Sequence, residues 1–269
     1  MKNVLTIAGS DSLAGGGLQA DLKTFEELNV FGLSVVTSIA DIFPDSVSIK
    51  ALNSKLVKEQ LESVLTQVEI TSVKTGFLGS TAIIKLIKAE IEQKNLSLIV
   101  DPVLVFKEGE TSKNIDYLMA IKNDLLPLAT VVTPNLIEAE KLTGLKIKSV
   151  EQIPQVAQRI QALGCPNVII KGGSRLEGTE AIDYLLTEKR DYWFRNDKVD
   201  TKITDGAGCT FSAAITAYMA LGMSVLESVK MAKKFVRLSI IDGVKIGDFG
   251  SVWQGALRQR ENYHAKKFN

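Results

Sequence analysis

Short apolar runs alternate with longer amphipathic stretches along almost the whole chain, and that alternation limits the fold more than any other feature. Short bounded apolar runs read as buried strands, and longer stretches with apolar residues at helical spacing read as helices. Strands are predicted at 4–8, 33–40, 72–75, 96–100, 130–133 and 167–171. Helices are predicted between them at 18–28, 54–68, 81–93, 114–125, 136–142 and 150–163. A parallel neighbour is reached only by a crossover, so this succession builds a mostly parallel sheet with helices on both faces. The pattern changes at 181–186 and 192–195, where two strands surround Thr187-Glu188-Lys189-Arg190 and a hairpin is predicted. Two helices, 210–221 and 225–241, follow; the stretch after Gly250 is polar and carries no clear element. The predicted class is α/β. No linker, repeat or low-complexity tract divides the chain, so 1–269 reads as one domain.

Charge narrows the choice of partners. Lys plus Arg is 32 and Asp plus Glu is 31, a balance that predicts neither nucleic-acid nor anionic-membrane binding. No apolar run approaches the ~18 residues of a membrane span. The first residues read as a strand rather than a signal peptide, and a cytoplasmic location is expected. Cys165 and Cys209 are far apart and His264 is the one histidine, so neither a disulfide framework nor a Cys/His zinc site is expected. Cys165, between a helix and a strand, reads as structural, and His264, in a basic tail, as solvated.

Ligands of open parallel sheets bind beyond the carboxyl ends of the strands, and unusual residues collect there. After the first strand come Gly9-Ser10-Asp11-Ser12 and Gly15-Gly16-Gly17, with Gln19 and Asp21 opening a helix. Later strands are followed by Lys74-Thr75-Gly76-Phe77, by Asp101-Pro102, by Thr133-Pro134-Asn135 with Glu138, and by Lys171-Gly172-Gly173. Asp205-Gly206-Ala207-Gly208-Cys209-Thr210-Phe211 leads into an apolar helix. Glycines before a helix let amide N–H groups converge, and the helix dipole favours an anion there. The same field lowers the pKa of a first-turn thiol from about 8.5 toward roughly 3.5–7.5.

Each motif also has a plainer reading. Cys209 can be a small core residue after a flexible loop. Asn135 and Glu138 have the spacing of a helix capping box. Asp101-Pro102 and Lys171-Gly172-Gly173 can be ordinary turns. Gly15 to Ala20 formally fits a dinucleotide fingerprint, but the strand ends too far upstream, and no P-loop motif occurs. Taken together the residues offer carboxylates for Mg²⁺, a lysine for phosphate and two glycine loops. Phosphoryl transfer, which depends on positioning and charge neutralisation, needs those components.

In their order, Ala8-Gly9-Ser10-Asp11-Ser12 through Asp21, Lys74-Thr75-Gly76, Asp101-Pro102-Val103, Thr133-Pro134-Asn135-x-x-Glu138, Lys171-Gly172-Gly173 and Gly206 to Phe211 resemble the ribokinase superfamily. The resemblance is to the branch of hydroxymethylpyrimidine (phosphate) kinases and Gram-positive pyridoxal kinases, and it spans residues 3–245. It implies a ribokinase-like three-layer α/β/α sandwich, ATP as phosphoryl donor, Mg²⁺ and a homodimer, and leaves a monovalent cation open. By position, it implies that Asp21 hydrogen-bonds a heteroaromatic substrate and that Gly9, Ile42, Phe77 and Val105 line its pocket. Asn135, Lys171, Gly173 and Thr204 would serve the nucleotide, and Asp101 and Glu138 the metal. Gly206, Ala207 and Gly208 would form the anion hole. Cys209 stands where most of the superfamily has a catalytic aspartate, and would deprotonate the substrate's hydroxymethyl group.

Ile42 stands where the pyrimidine kinases carry glutamine and the pyridoxal kinases methionine, which implies pyridoxal, pyridoxine or pyridoxamine as substrate. The alternatives are the pyrimidine (phosphate) kinase of thiamin synthesis and a non-catalytic nucleotide- or B6-binding protein. Phe106, Asp205, Leu13 and Ala14 depart from the family pattern, and residues 104–111 are the expected lid.

Overall fold

The computed structural model describes residues 1–104, 115–173, 175–247 and 249–260. Val105, Phe106, His264 and all of the expected lid except Leu104 lie outside them. Six strands form the parallel centre of a nine-stranded sheet: β1 (Asn3–Asp11), β2 (Phe31–Ile42), β4 (Ser72–Thr75), β5 (Ser97–Val100), β6 (Val131–Val132) and β7 (Val168–Gly173). β3 (Val47–Ala51) closes one edge antiparallel to β2; β8 (Glu180–Leu186) and β9 (Asp191–Asp197) extend the other as the expected hairpin. The order is β3-β2-β1-β4-β5-β6-β7-β8-β9. The chain therefore winds outward in opposite directions from β1 and β4, leaving a crevice above the carboxyl ends of those two strands.

Both faces of the central strands are apolar because both are covered. Leu5, Ile7, Val73, Leu98 and Val100 face a layer made by α2 (Ser54–Leu65), α3 (Thr81–Lys94), α4 (Ile115–Ala120), α5 (Leu136–Thr143) and α6 (Ile153–Gln161). Val4, Ile99, Val131 and Ile169 face α1 (Gly17–Glu27), α7 (Ala207–Ala220) and α8 (Val225–Ile241). Each fully buried aliphatic side chain contributes about 1.5–3 kcal/mol. α7 is buried almost all round, as its unbroken apolar sequence requires. Three layers and a mostly parallel sheet agree with the predicted class.

Four details differ from the sequence reading. β3 was not predicted, because Val47-Ser-Ile-Lys-Ala51 is a half-buried edge strand without an apolar run. The single helix expected at 114–125 is α4, a π-helical turn Ile121–Leu125 and a 3-10 turn Leu126–Leu128. Pro127, which has no N–H and crowds the preceding turn, ends it. α7 starts at Ala207 rather than Thr210, since Gly206 takes the N-cap with φ +80°. The tail also packs: β10 (Val244–Ile246) pairs with β11 (Phe249–Ser251), and Val252, Gln254 and Ala256 are buried.

Candidate active site

A cavity of about 250 Å³ opens at the β1/β4 crevice. Its first wall is the loop after β1. Asp11 ends the strand buried, and its carboxylate accepts from Leu13 N at 2.9 Å and Gly16 N at 2.8 Å. Gln19 braces the loop, accepting from Asp11 N at 2.9 Å and donating to Ser10 Oγ at 2.7 Å. The second wall is the start of α7. The two touch backbone to backbone: a Cβ on Gly206 would lie 1.7 Å from the Gly15 carbonyl oxygen. Only glycine fits there, both for the φ of +80° and for the space. Asp205 is fastened from behind, its N–H donating to Gly250 O at 3.2 Å and its carbonyl accepting from Val252 N at 3.0 Å.

Cys209 is the third residue of α7 and half-buried. The Gly17 N–H near its sulfur favours the thiolate. Burial nevertheless pushes the thiol up to about 11; Lys74 pulls it back, and Asp101 and Asp21 oppose the charge further. The expectation of a lowered pKa is corrected here. The sulfur is largely withdrawn from water at the cavity wall, and desolvation outweighs the field of the helix.

Opposite the sulfur, Lys171 Nζ donates to Asp101 Oδ1 at 2.8 Å, and Ser212 Oγ on α7 donates to Asp101 Oδ2 at 2.9 Å. The Lys171 ammonium sits 3.4 Å from where a Gly208 side chain would begin. Burial works against its charge, but Asp101 and Glu138 outweigh burial and raise its pKa. Asn135 and Glu138 do form the capping box of α5: Asn135 Oδ1 accepts from Glu138 N at 3.0 Å, and Glu138 Oε2 accepts from Asn135 N at 2.8 Å. Both also border the cavity, so the capping role does not take them away from it. Burial raises Glu138 to about 7, against the pull of the Lys171 charge. The apolar side is made by Ala8, Phe77 and Val103. Phe77 leans on Tyr117 with ring centroids 6.0 Å apart, and the Tyr117 hydroxyl accepts from Leu78 N at 3.1 Å.

The cavity thus brings together Gly9, Phe77, Asp101, Asn135, Glu138, Lys171, Thr204, Gly206, Ala207, Gly208 and Cys209. Three expected residues do not line it. Asp21 is sealed under the floor, with its oxygens on Lys74 and Thr6, so the expected substrate contact is corrected. Ile42 ends β2 buried opposite Val47. Gly173 turns away, its N–H donating to Asp183 Oδ1 at 3.2 Å. Sequence reasoning gave no role to Lys74, Asp11 or Ser212. A lysine inside a strand that is otherwise buried was the available signal for the first. Cys165 is buried and its thiol donates to Asn167 O at 3.3 Å, a structural role.

The profile of the family "Phosphomethylpyrimidine kinase" matches residues 11–253. The chain belongs to that family. Its structure is similar to the ADP complex of Bacillus subtilis pyridoxal kinase, with TM-score 0.92 and 37% identity over 96% of this chain and 99% of that one. Staphylococcus aureus pyridoxal kinase, in complex with AMP-PCP and pyridoxal, gives TM-score 0.91 and 41% identity over 96% and 95%. A relative named hydroxymethylpyrimidine/phosphomethylpyrimidine kinase, from Staphylococcus aureus strain MSSA476, is 42% identical over 91% of this chain and 90% of its own. Among the described residues, no helix is long and apolar enough to cross a membrane.

Proposed function

We propose that this protein transfers the γ-phosphoryl group of ATP to the 5-hydroxymethyl group of pyridoxal, pyridoxine or pyridoxamine. The observation that carries the reading is the contact between the two glycine loops at Gly15 and Gly206, with Cys209 beside it. An alcohol held at Gly9 and Phe77 and a phosphate held at the start of α7 then meet at one sulfur.

Ala207 N–H is taken by Thr204 O at 3.1 Å, so Gly208 and Cys209 supply the first-turn amides for the γ-phosphate. Lys171 neutralises the phosphate chain, and Thr204 and Asn135 border the nucleotide side. Cys209 receives the proton of the alcohol. Among the described residues no three His, Cys, Asp or Glu side chains gather as a metal site. The residues do fit a Mg²⁺ that arrives on the nucleotide, because such ions take one or two carboxylates and complete their shell with phosphate and water. Glu138, buried and with one oxygen outside the capping box, would hold it, with Asp101 beside it. When bound, the ion supplies charge neutralisation on the transferring phosphate. A homodimer belongs to the same reading, and sedimentation at working concentration checks it.

Preference for a B6 vitamer is supported by the near-complete two-way coverage of the pyridoxal kinase structures. Ile42 does not support it, since it borders no part of the cavity. The second reading, hydroxymethylpyrimidine (phosphate) kinase, is favoured by the family profile and by the staphylococcal relative of that name. Purified protein with ATP and Mg²⁺ is assayed for ADP release with each alcohol. Turnover of pyridoxal is expected; turnover of hydroxymethylpyrimidine phosphate alone reverses the ranking, and ADP release with none rejects a kinase.

A further inference from the structure

A charged cluster lies beneath the cavity floor that phosphate binding does not use. Thr6 on β1 and Lys74 on β4 are register partners in the parallel pair. Asp21 reaches both from α1: Lys74 Nζ donates to its two oxygens at 2.7 and 2.8 Å, and Thr6 Oγ1 donates at 2.6 Å. The side chains of Asp21 and Lys74 are 0% exposed. An apolar pair of the same volume is often as stable as a buried ion pair or more so, so stability alone does not account for this one. Its location does. α7 packs on β4, and Lys74 and Cys209 border the same cavity. The Lys74 Nζ lies 3.5 Å from where a side chain on Gly76 would begin, so glycine there leaves room for the ammonium.

The charged groups around the sulfur are Lys74 from β4, Asp21 from α1, Asp11 from β1, Asp101 after β5 and Lys171 from β7. Lys171 is committed to Asp101. Lys74 favours negative charge on the sulfur, and the carboxylates of Asp101 and Asp21 oppose it.

We propose that Lys74 is a positioning residue for the transfer: Asp21 and Thr6 fix its ammonium toward Cys209, where it holds the thiolate that takes the alcohol's proton. The thiol proton first leaves to bulk water. The hydroxyl proton of the alcohol then passes to sulfur, and its oxygen forms the bond to the γ-phosphorus. The bond from that phosphorus to the bridging oxygen breaks, and its electron pair leaves with ADP. Asp21 acts through Lys74 and not on the substrate. The inference rests on the kinase reading given above.

Lys74→Met alone strands a buried carboxylate, so the working variant is Lys74→Met with Asp21→Asn. Two readouts apply: ADP release, and iodoacetamide alkylation of Cys209 at one fixed alkaline pH. Cys165 is fully buried and stays unreacted, and Cys209→Ala supplies the blank. Alkylation is expected to slow about tenfold or more and kcat to fall about 10²-fold, the lower range for a general base. ATP affinity stays within about twofold, and raising the pH recovers part of kcat. A folded double variant with unchanged alkylation and kcat overturns the proposal. Thr6→Val, of nearly the same shape, reads the anchor separately and covers the case in which the double variant does not fold. Alkylation about two- to tenfold slower is expected, and an unchanged rate counts against the proposal. Alkylation needs no turnover, so slower alkylation in a protein that phosphorylates no alcohol sinks the kinase reading and with it the role of Lys74 in transfer, and leaves standing only its effect on the charge of the sulfur.

Discussion

At Cys209 two influences oppose each other. The amide of Gly17 and the ammonium of Lys74 favour a thiolate, whereas burial and the carboxylates Asp101 and Asp21 favour the thiol. The result for the ligand-free protein is a thiol near 11. Alkylation by iodoacetamide should therefore rise about tenfold per pH unit from neutral pH to about pH 10, following the thiolate fraction. A plateau reached near pH 7 would mean the sulfur is already ionised. The same shift has a stability consequence. Between the ordinary thiol value of 9.0 and about 11 the folded state keeps a proton that the unfolded chain has lost. The sulfur's contribution is thus complete below 9.0 and is lost as pH rises through about 11. Melting temperature should fall more steeply over that window in the wild type than in Cys209→Ala; parallel curves would contradict the assignment. The Ala variant should also lose about 10²–10⁴-fold in kcat with nucleotide affinity retained.

Among the elements, the two glycine loops and the start of α5 matter most. Gly206→Ala introduces a Cβ at φ +80° and 1.7 Å from a backbone oxygen. Left-handed strain alone costs about 1–2 kcal/mol, and the clash forces the loops apart. Calorimetry and nucleotide titration should show a lower melting temperature and weaker ATP binding; wild-type values for both would mean the loops need not touch. Asn135→Ala removes one half of the α5 capping box and should cost about 1 kcal/mol in denaturant unfolding. Because Asn135 also borders the cavity, KM for ATP should rise in the same variant, and a change in stability without one would confine the residue to capping. The glycines, Asn135 and Glu138 were all legible from spacing, since turn and cap chemistry is local. The direction of Asp21 was not. A carboxylate on the first turns of a helix can face a ligand or the sheet, and only the pairing of β1 with β4 brings Lys74 beneath it. The start of α7 was read three residues late because Gly-Ala-Gly carries little helix signal of its own.

Across the whole molecule, the alternation of strands and helices was sufficient for the parallel centre and for a cavity at the strand ends. It could not reveal β3, whose partner is supplied by β2, or the role of residues after 243. There β11 and Val252 hold the Asp205 backbone on both sides, and Gln254 Nε2 donates to Thr210 Oγ1 at 3.0 Å. These contacts join distant parts of the chain, so no local pattern announces them. Removing residues from 249 onward should therefore loosen the start of α7 and abolish turnover. A truncated protein with full activity would contradict that. The central claim is that an alcohol and a γ-phosphate meet at Cys209 between the two glycine loops. A crystal structure with a non-hydrolysable ATP analogue and pyridoxal tests it most directly. The terminal phosphate should lie on the Gly208 and Cys209 amides, with the hydroxymethyl oxygen within hydrogen-bond reach of the Cys209 sulfur. A phosphate bound elsewhere, or an alcohol directed away from that sulfur, would contradict the account.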